Sequence, residues 1–265
     1  MKNILVLITI ICLQSTLADA TDPKHTALVV DVNKLKVLHQ HNAKVARYPA
    51  SLTKLMTLHL LFDRLKTHKI TMNTKIKISK EASDQKPSKL GLKPGESITV
   101  KDAINALIIK SANDVAFAVA ESLGEGDVQI FVKMMNKKAK AIGMHNTQFI
   151  NPHGWHNDKQ YTTAYDMVKL AISLRKRHPQ YYKMFANKKF TFKGKTIQTY
   201  NKVLLKHNDA DGLKTGFTNA SGFNLVTSVK NKKTNIVAVV MGSNSAAERD
   251  QKMLNLIDKF SHKAS

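Results

Sequence analysis

Cysteine is nearly absent from this chain. Its 265 residues include one, Cys12, inside an apolar N-terminal stretch. Beyond that stretch neither a disulfide framework nor a cysteine nucleophile is possible. Aromatic residues make up only 6% of the chain, and its lysines are scattered rather than gathered into an aromatic-interleaved patch. So although 42 Lys and Arg against 19 Asp and Glu leave a net charge of +23, the sequence offers no specific nucleic-acid surface. The nearer anionic partners for such a charge are envelope polymers and membrane surfaces, met electrostatically.

Long hydrophobic runs are missing too. The longest, Ile4 to Leu17, falls short of the ~20 residues a bilayer-spanning helix needs. With Lys2 before it and Ala18-Asp19-Ala20 after it, the run reads as a secretory signal over residues 1–20 with an A-x-A cleavage site. Residues 21–265 then read as one catalytic domain, with a helical lobe inserted within roughly 65–185. Repeats and low-complexity segments do not occur.

What the chain does contain is three short strings in order: Ser51-Leu52-Thr53-Lys54, Ser111-Ala112-Asn113 and Lys214-Thr215-Gly216. SxxK alone says little in so lysine-rich a chain, since it recurs at Ser83–Lys86 and Ser173–Lys176; the other two strings occur once each. Ser51 follows Tyr48-Pro49-Ala50 and opens the apolar run Leu52, Leu55, Met56, Leu58, Leu60, Leu61, which predicts a buried helix with Ser51 in its first turn. Spacing of three puts Ser51 and Lys54 on one face. Ser83 lies in the polar stretch Glu81 to Lys89 and reads as surface loop, and Ser173 as the solvated part of an amphipathic helix. A serine hydroxyl attacks well only when a base takes its proton, and a lysine serves as that base only when burial or nearby cations lower its pKa. Lys54, in an apolar helix and with Lys214 as a second cation, has both influences available.

These strings match the signature set shared by serine β-lactamases and penicillin-binding proteins. The chain resembles the D-alanyl-D-alanine carboxypeptidases, the low-molecular-mass penicillin-binding proteins. The likeness continues through Tyr48 to Thr57, Pro87 to Gly95, Lys110 to Asp114, Asp211 to Thr218 and Ser221 to Val226, and spans roughly residues 25 to 260. It implies removal of the terminal D-alanine from peptidoglycan stem peptides ending in D-Ala-D-Ala, through a Ser51 acyl-enzyme, with β-lactam antibiotics as covalent inhibitors. By the same resemblance Ser51 is the nucleophile, Lys54 its base, and Ser111 a proton relay to the leaving group. Asn113 would hold a substrate amide, Lys214 and Thr215 the substrate carboxylate, and the N–H groups of Ser51 and Phe217 the oxyanion. Gly216 would let the substrate strand approach closely.

One departure stands out. Where many relatives read Gly-Gly-Arg, this chain reads Gly242-Ser243-Asn244, which makes Arg249 the candidate to compensate. Hydrolysis of peptide cross-bridges, a D,D-endopeptidase activity, is a variant of the same chemistry. A β-lactamase is the enzyme alternative, although no Glu-x-x-Leu-Asn string supplies a class A deacylating base. A non-catalytic envelope-binding protein is the third reading, opposed by the intact Ser51, Lys54, Ser111 and Lys214. The chain stops soon after the catalytic unit, without the further β domain and C-terminal membrane helix of many relatives, so a soluble enzyme of the periplasm or cell envelope is expected.

Other candidate sites are weaker. His153-Gly154-Trp155-His156 pairs two metal-ligand types without a third, and neither metal nor cofactor is expected. Asp166 and Asp211 lack the context of a Ser-His-Asp triad, and Asp114 reads as a helix cap. Periodicity predicts strands at Thr26 to Val32, Lys36 to Gln40, Asp211 to Phe217, Phe223 to Val229 and Asn235 to Met241, with a hairpin within Lys189 to Thr199. Helices are predicted at Val100 to Ile109, Asp114 to Leu123, Val128 to Ile142, Thr163 to Arg177 and Ala246 to Phe260. The fold class is α/β: an antiparallel sheet flanked by helices with an inserted all-helical subdomain, which by resemblance is the β-lactamase and penicillin-binding-protein transpeptidase arrangement.

Overall fold

A computed structural model describes residues 24–261; the expected leader and Cys12 lie outside the described residues. Strands β1 (Thr26–Asp31) and β2 (Lys36–His41) form an N-terminal hairpin. Strands β7 (Ala210–Thr218), β8 (Gly222–Lys230) and β9 (Asn235–Ser243) form a C-terminal meander. The two parts join as one antiparallel sheet in the order β2-β1-β9-β8-β7, with Leu28 opposite Val239 and Ala27 opposite Val240.

The near-continuous apolar character of β1, β8 and β9 follows from burial on both faces. Alternate residues divide between two cores, as the two-residue period of a strand requires. Val29, Leu225, Ile236, Ala238 and Val240 pack against Met253, Ile257 and Phe260 of the closing helix α9 (Ala246–Ser261). Leu28, Val30, Val226, Val237 and Val239 face the larger helical core. At its centre lies α1 (Lys54–Lys66), whose Leu55, Met56, Leu58, Leu61 and Phe62 are all fully buried. A helix apolar on nearly every side belongs inside.

The chain between α1 and the last strands builds the rest of the helical side. A small hairpin pairs β3 (Lys75–Lys77) with β4 (Ser97–Thr99), flanking the one-turn helix α2 (Lys80–Ser83). Helices α3 (Val100–Asn105), α4 (Asn113–Leu123), α5 (Val128–Ala141) and α6 (Ala164–Arg177) follow, then the short α7 (Pro179–Tyr182). Thr163 caps α6 by accepting from the Asp166 N–H, as its position before the apolar run indicates. The hairpin β5 (Lys189–Phe192) and β6 (Lys195–Gln198) and helix α8 (Lys202–Lys206) lead back to the sheet. No described helix is long and apolar enough to cross a membrane.

Three local readings change. The polar stretch from Glu81 is not all loop, because the Ser79 hydroxyl accepts from the Ala82 N–H at 2.9 Å and starts α2, which Ser83 ends. The helix expected over 100–109 gives way after Asn105 to a π turn, Ala106–Lys110, whose wider winding delivers Ser111 with φ of 59°. Such turns and left-handed non-glycine residues recur at functional sites. Asp114 is not the cap of α4, which follows Ala112 without a side-chain cap, but a first-turn residue: besides the Val115 N–H at 2.9 Å, its buried carboxylate accepts the Leu90 and Gly91 N–H groups at 3.0 and 2.8 Å. It therefore anchors the 86–91 loop over the start of α4. We expect Asp114→Ala to cost about 1–3 kcal/mol in urea unfolding, and to speed hydrogen exchange at Leu90 and Gly91 before the helices open. Unchanged exchange at those two amides would refute the anchor.

Candidate active site

The nucleophile candidate sits on a short 3-10 turn, Ala50–Thr53, that precedes α1 rather than in the helix itself. This turn is set by close backbone packing. Gly154, at φ of +89°, passes so near Ala50 that a Cβ there would lie 1.8 Å from the Ala50 carbonyl oxygen. On its other side runs the edge strand β7: a Cβ on Gly216 would lie 3.0 Å from the Pro49 oxygen and 3.1 Å from the Ser51 nitrogen. The bare α-carbon of Gly216 thus faces the Ser51 turn. Asn224 of β8 fastens the same turn, donating to the Tyr48 and Pro49 carbonyls at 3.1 and 3.3 Å while its Oδ1 accepts the Gly242 N–H at 2.9 Å.

Lys54 is fully buried, and three oxygens surround its amine: Ser51 Oγ at 3.0 Å, Asn113 Oδ1 at 2.6 Å and the His153 carbonyl at 2.6 Å. Burial, and then the charge of Lys214, hold its pKa well below the ordinary lysine value, against a smaller opposing pull from Asp114. Once neutral, the amine keeps two N–H donors for Asn113 and His153 and turns its lone pair to the Ser51 hydroxyl. That is the arrangement a base needs. His153 contributes only its backbone. Its imidazole is pushed down to about 3, chiefly by burial and also by the Lys54 charge, and its Nδ1 accepts the Trp155 N–H at 3.0 Å. Thr57 Oγ1 ties the preceding carbonyl, Pro152, to α1 at 2.6 Å.

The remaining predicted residues converge from two further elements. Ser111, Asn113, Thr215, Gly216 and Phe217 line one cleft of about 440 Å³ with Ser51, within the size range of small-ligand sites. Lys54 and Lys214 lie buried behind it. The Asn113 amide donates to the Lys86 and Pro87 carbonyls at 2.8 and 3.2 Å and accepts from Lys54, which leaves one Oδ1 lone pair for a substrate N–H. Lys214 donates to the Thr215 carbonyl at 2.9 Å, and its pKa is pushed down to about 7 by burial and then by Arg249. Arg249 also lines the cleft, its guanidinium on Asp250 Oδ1 at 2.6 and 2.9 Å, so a fixed cation does reach the site from α9. Phe217 stacks on Phe223 at 4.2 Å, and Trp155, Tyr200 and Phe217 leave exposed aromatic faces around the mouth.

Ser83, Ser173, Asp166 and Asp211 do not line this cleft. The contributions of the His153 carbonyl and Asn224 escape a reading by side-chain chemistry. One visible signal was the asparagine inside the apolar string Phe223-Asn224-Leu225-Val226, since a buried polar side chain in a strand must be paired. We expect Gly216→Ala to slow covalent labelling by a fluorescent penicillin about 10²-fold, because the added methyl must displace the Ser51 turn. Thermal unfolding should still be cooperative; labelling at the unmodified rate would show that the contact tolerates a methyl group.

The family model described as D-alanyl-D-alanine carboxypeptidase matches residues 15–245. The chain is 34% identical over 242 residues to D-alanyl-D-alanine carboxypeptidase DacF of Bacillus subtilis, covering 88% of this chain and 61% of DacF. It therefore spans about three fifths of that relative's length. The crystal structure of the carboxypeptidase DacD from Francisella tularensis superposes with a TM-score of 0.84 at 29% identity, over 97% of this chain and 73% of DacD. Penicillin binding protein 5 from Haemophilus influenzae gives a TM-score of 0.84 at 32% identity, over 88% and 69%. With its three motifs gathered around one cleft and the likeness running along nearly its whole length, the chain belongs to the D-alanyl-D-alanine carboxypeptidase family.

Proposed function

We propose that the protein is a serine D,D-carboxypeptidase that removes the terminal D-alanine from peptidoglycan stem peptides. The observation that carries this reading is the buried Lys54 amine held 3.0 Å from Ser51 Oγ by Asn113 and the His153 carbonyl. Neutral Lys54 takes the Ser51 proton as Oγ attacks the carbonyl of the penultimate D-alanine. The backbone N–H groups of Ser51 and Phe217 accept the negative charge that develops on the carbonyl oxygen. A proton passes through Ser111 to the departing amine, D-alanine leaves, and water hydrolyses the Ser51 ester. Lys214, Thr215 and the field of Arg249 hold the terminal carboxylate, with Asn244 standing where many relatives carry an arginine.

The same acylation makes β-lactams covalent inhibitors. Residues 21–265 work as a single catalytic unit in this reading, in the periplasm or cell envelope. The leader-like residues 1–20 support that location, and the net charge of +23 supports contact with anionic envelope polymers.

Intact mass spectrometry with benzylpenicillin should show a one-to-one adduct that persists for minutes and is missing in Ser51→Ala. Release of D-alanine from a pentapeptide should vanish in the same variant. An adduct retained in Ser51→Ala, or rapid penicillin hydrolysis with no lasting adduct, would overturn the reading. The two lysines also set opposite pH limits. Lys54 works unprotonated, so kcat/KM rises with pH through its depressed pKa. Lys214 works as a cation, so KM for the peptide rises once pH passes about 7. The alkaline rise in KM should disappear in Lys214→Ala, whose kcat/KM is lower at every pH.

A further inference from the structure

Three side chains of metal-ligand type meet on the side of α1 away from the cleft. His59 and Asp63 are four residues apart on α1, and His178 sits at the junction of α6 and α7. His178 Nε2 is 3.3 Å from Asp63 Oδ1 and 3.4 Å from His59 Nδ1, and His59 Nδ1 is 3.6 Å from the other carboxylate oxygen, Asp63 Oδ2. Both imidazoles are fully buried, while the Asp63 side chain is 26% exposed, which gives the cluster a way in from solvent.

Hydrogen bonding accounts poorly for this geometry. All three separations exceed the 2.7–3.2 Å of good N–H···O bonds, and His178 Nδ1 is buried without a partner. A tetrahedral zinc ion accounts for it well. With ligands at about 2.0–2.1 Å, neighbouring donor atoms of the tetrahedron lie about 3.3–3.4 Å apart, as His178 Nε2 does from Asp63 Oδ1 and from His59 Nδ1. Two imidazoles and a carboxylate are ligands that zinc accepts.

The surroundings agree. Ser173 Oγ is 2.9 Å from His59 Nε2, and by accepting that N–H it leaves the lone pair on Nδ1, directed at the cluster. Lys138 holds Asp63 Oδ2 at 2.7 Å, which leaves Oδ1 for the ion. We propose that His59, Asp63 and His178 form a zinc site that clamps helix α1, which carries Lys54, to the α6–α7 junction. The site does not depend on the chemistry assigned to the cleft.

The test uses untagged full-length protein stripped with a chelator and titrated with zinc chloride by calorimetry, and with cobalt chloride by visible absorption. One equivalent of zinc should bind with a micromolar or lower Kd and raise Tm, and cobalt should give the intense visible bands of four-coordination. His178→Gln and Asp63→Asn, which keep side-chain size, should each weaken zinc binding by about tenfold or more without changing the rate of penicillin labelling. No binding at 100 times a micromolar Kd, roughly 0.1 mM zinc, would overturn the proposal. So would zinc affinity unchanged in both variants, which would place the ion on other histidines. Weak six-coordinate cobalt bands would also overturn it, and that readout requires no variant to fold.

Discussion

A lysine amine buried without losing its hydrogen bonds is the condition on which the rest of the structure depends. Removing an ammonium from water disfavours its charged form strongly, and that penalty holds the Lys54 pKa well below the ordinary lysine value. Burial alone would leave a flexible four-carbon chain unplaced. The Asn113 Oδ1 and the His153 carbonyl supply fixed acceptors at 2.6 Å, so the third direction of the amine points to Ser51. Each acceptor is in turn held by something further out. The Asn113 amide is fixed by the 86–91 loop, which Asp114 anchors, and the 152–154 segment is strapped to α1 through Thr57.

The two buried lysines divide the electrostatic tasks by environment. Lys54 feels Lys214 as a like charge, and Lys214 feels Arg249 in the same way. The result is a gradient of cations behind the cleft that ends in an arginine paired to Asp250. Each of the two lysines thus has burial first, and then a like charge beside it, working to lower its pKa. Positive charge therefore reaches the cleft from α9, through Arg249, while the end of β9 carries Asn244 in place of a cation.

Much of this was legible in the sequence because it is local. The SxxK spacing, the two strings that occur once each and the period-two strands are short-range signals, and they placed the elements and the cleft residues near where they lie. The π turn before Ser111 was not legible, since Ala106 to Lys110 is as good a helix as Val100 to Asn105 and only tertiary packing widens it. The close contact of Gly216 with the Ser51 turn was not legible, since the two are far apart in sequence and a glycine's neighbours leave no local mark. Main-chain acceptors such as the His153 carbonyl carry no sequence signature. The His59, Asp63 and His178 cluster escaped because its third member is 115 residues beyond the second in number order and nothing in either segment announces the other.

The pairing of β1 with β9 has a consequence for when the site can exist. Ser51 and Lys54 belong to a segment made early in synthesis, but the strand that packs against their turn comes from residues 210–218, and β1, paired early with β2, finds its second neighbour only in residues 235–243. A chain that folds from its N-terminus as it emerges therefore carries a complete helix α1 and no cleft. Contacts across so long a stretch close slowly, after the local helices have formed. Ser51 remains without the strand that carries Lys214, Thr215 and Phe217 until the last strands arrive, so completion of the cleft and completion of the sheet are the same event.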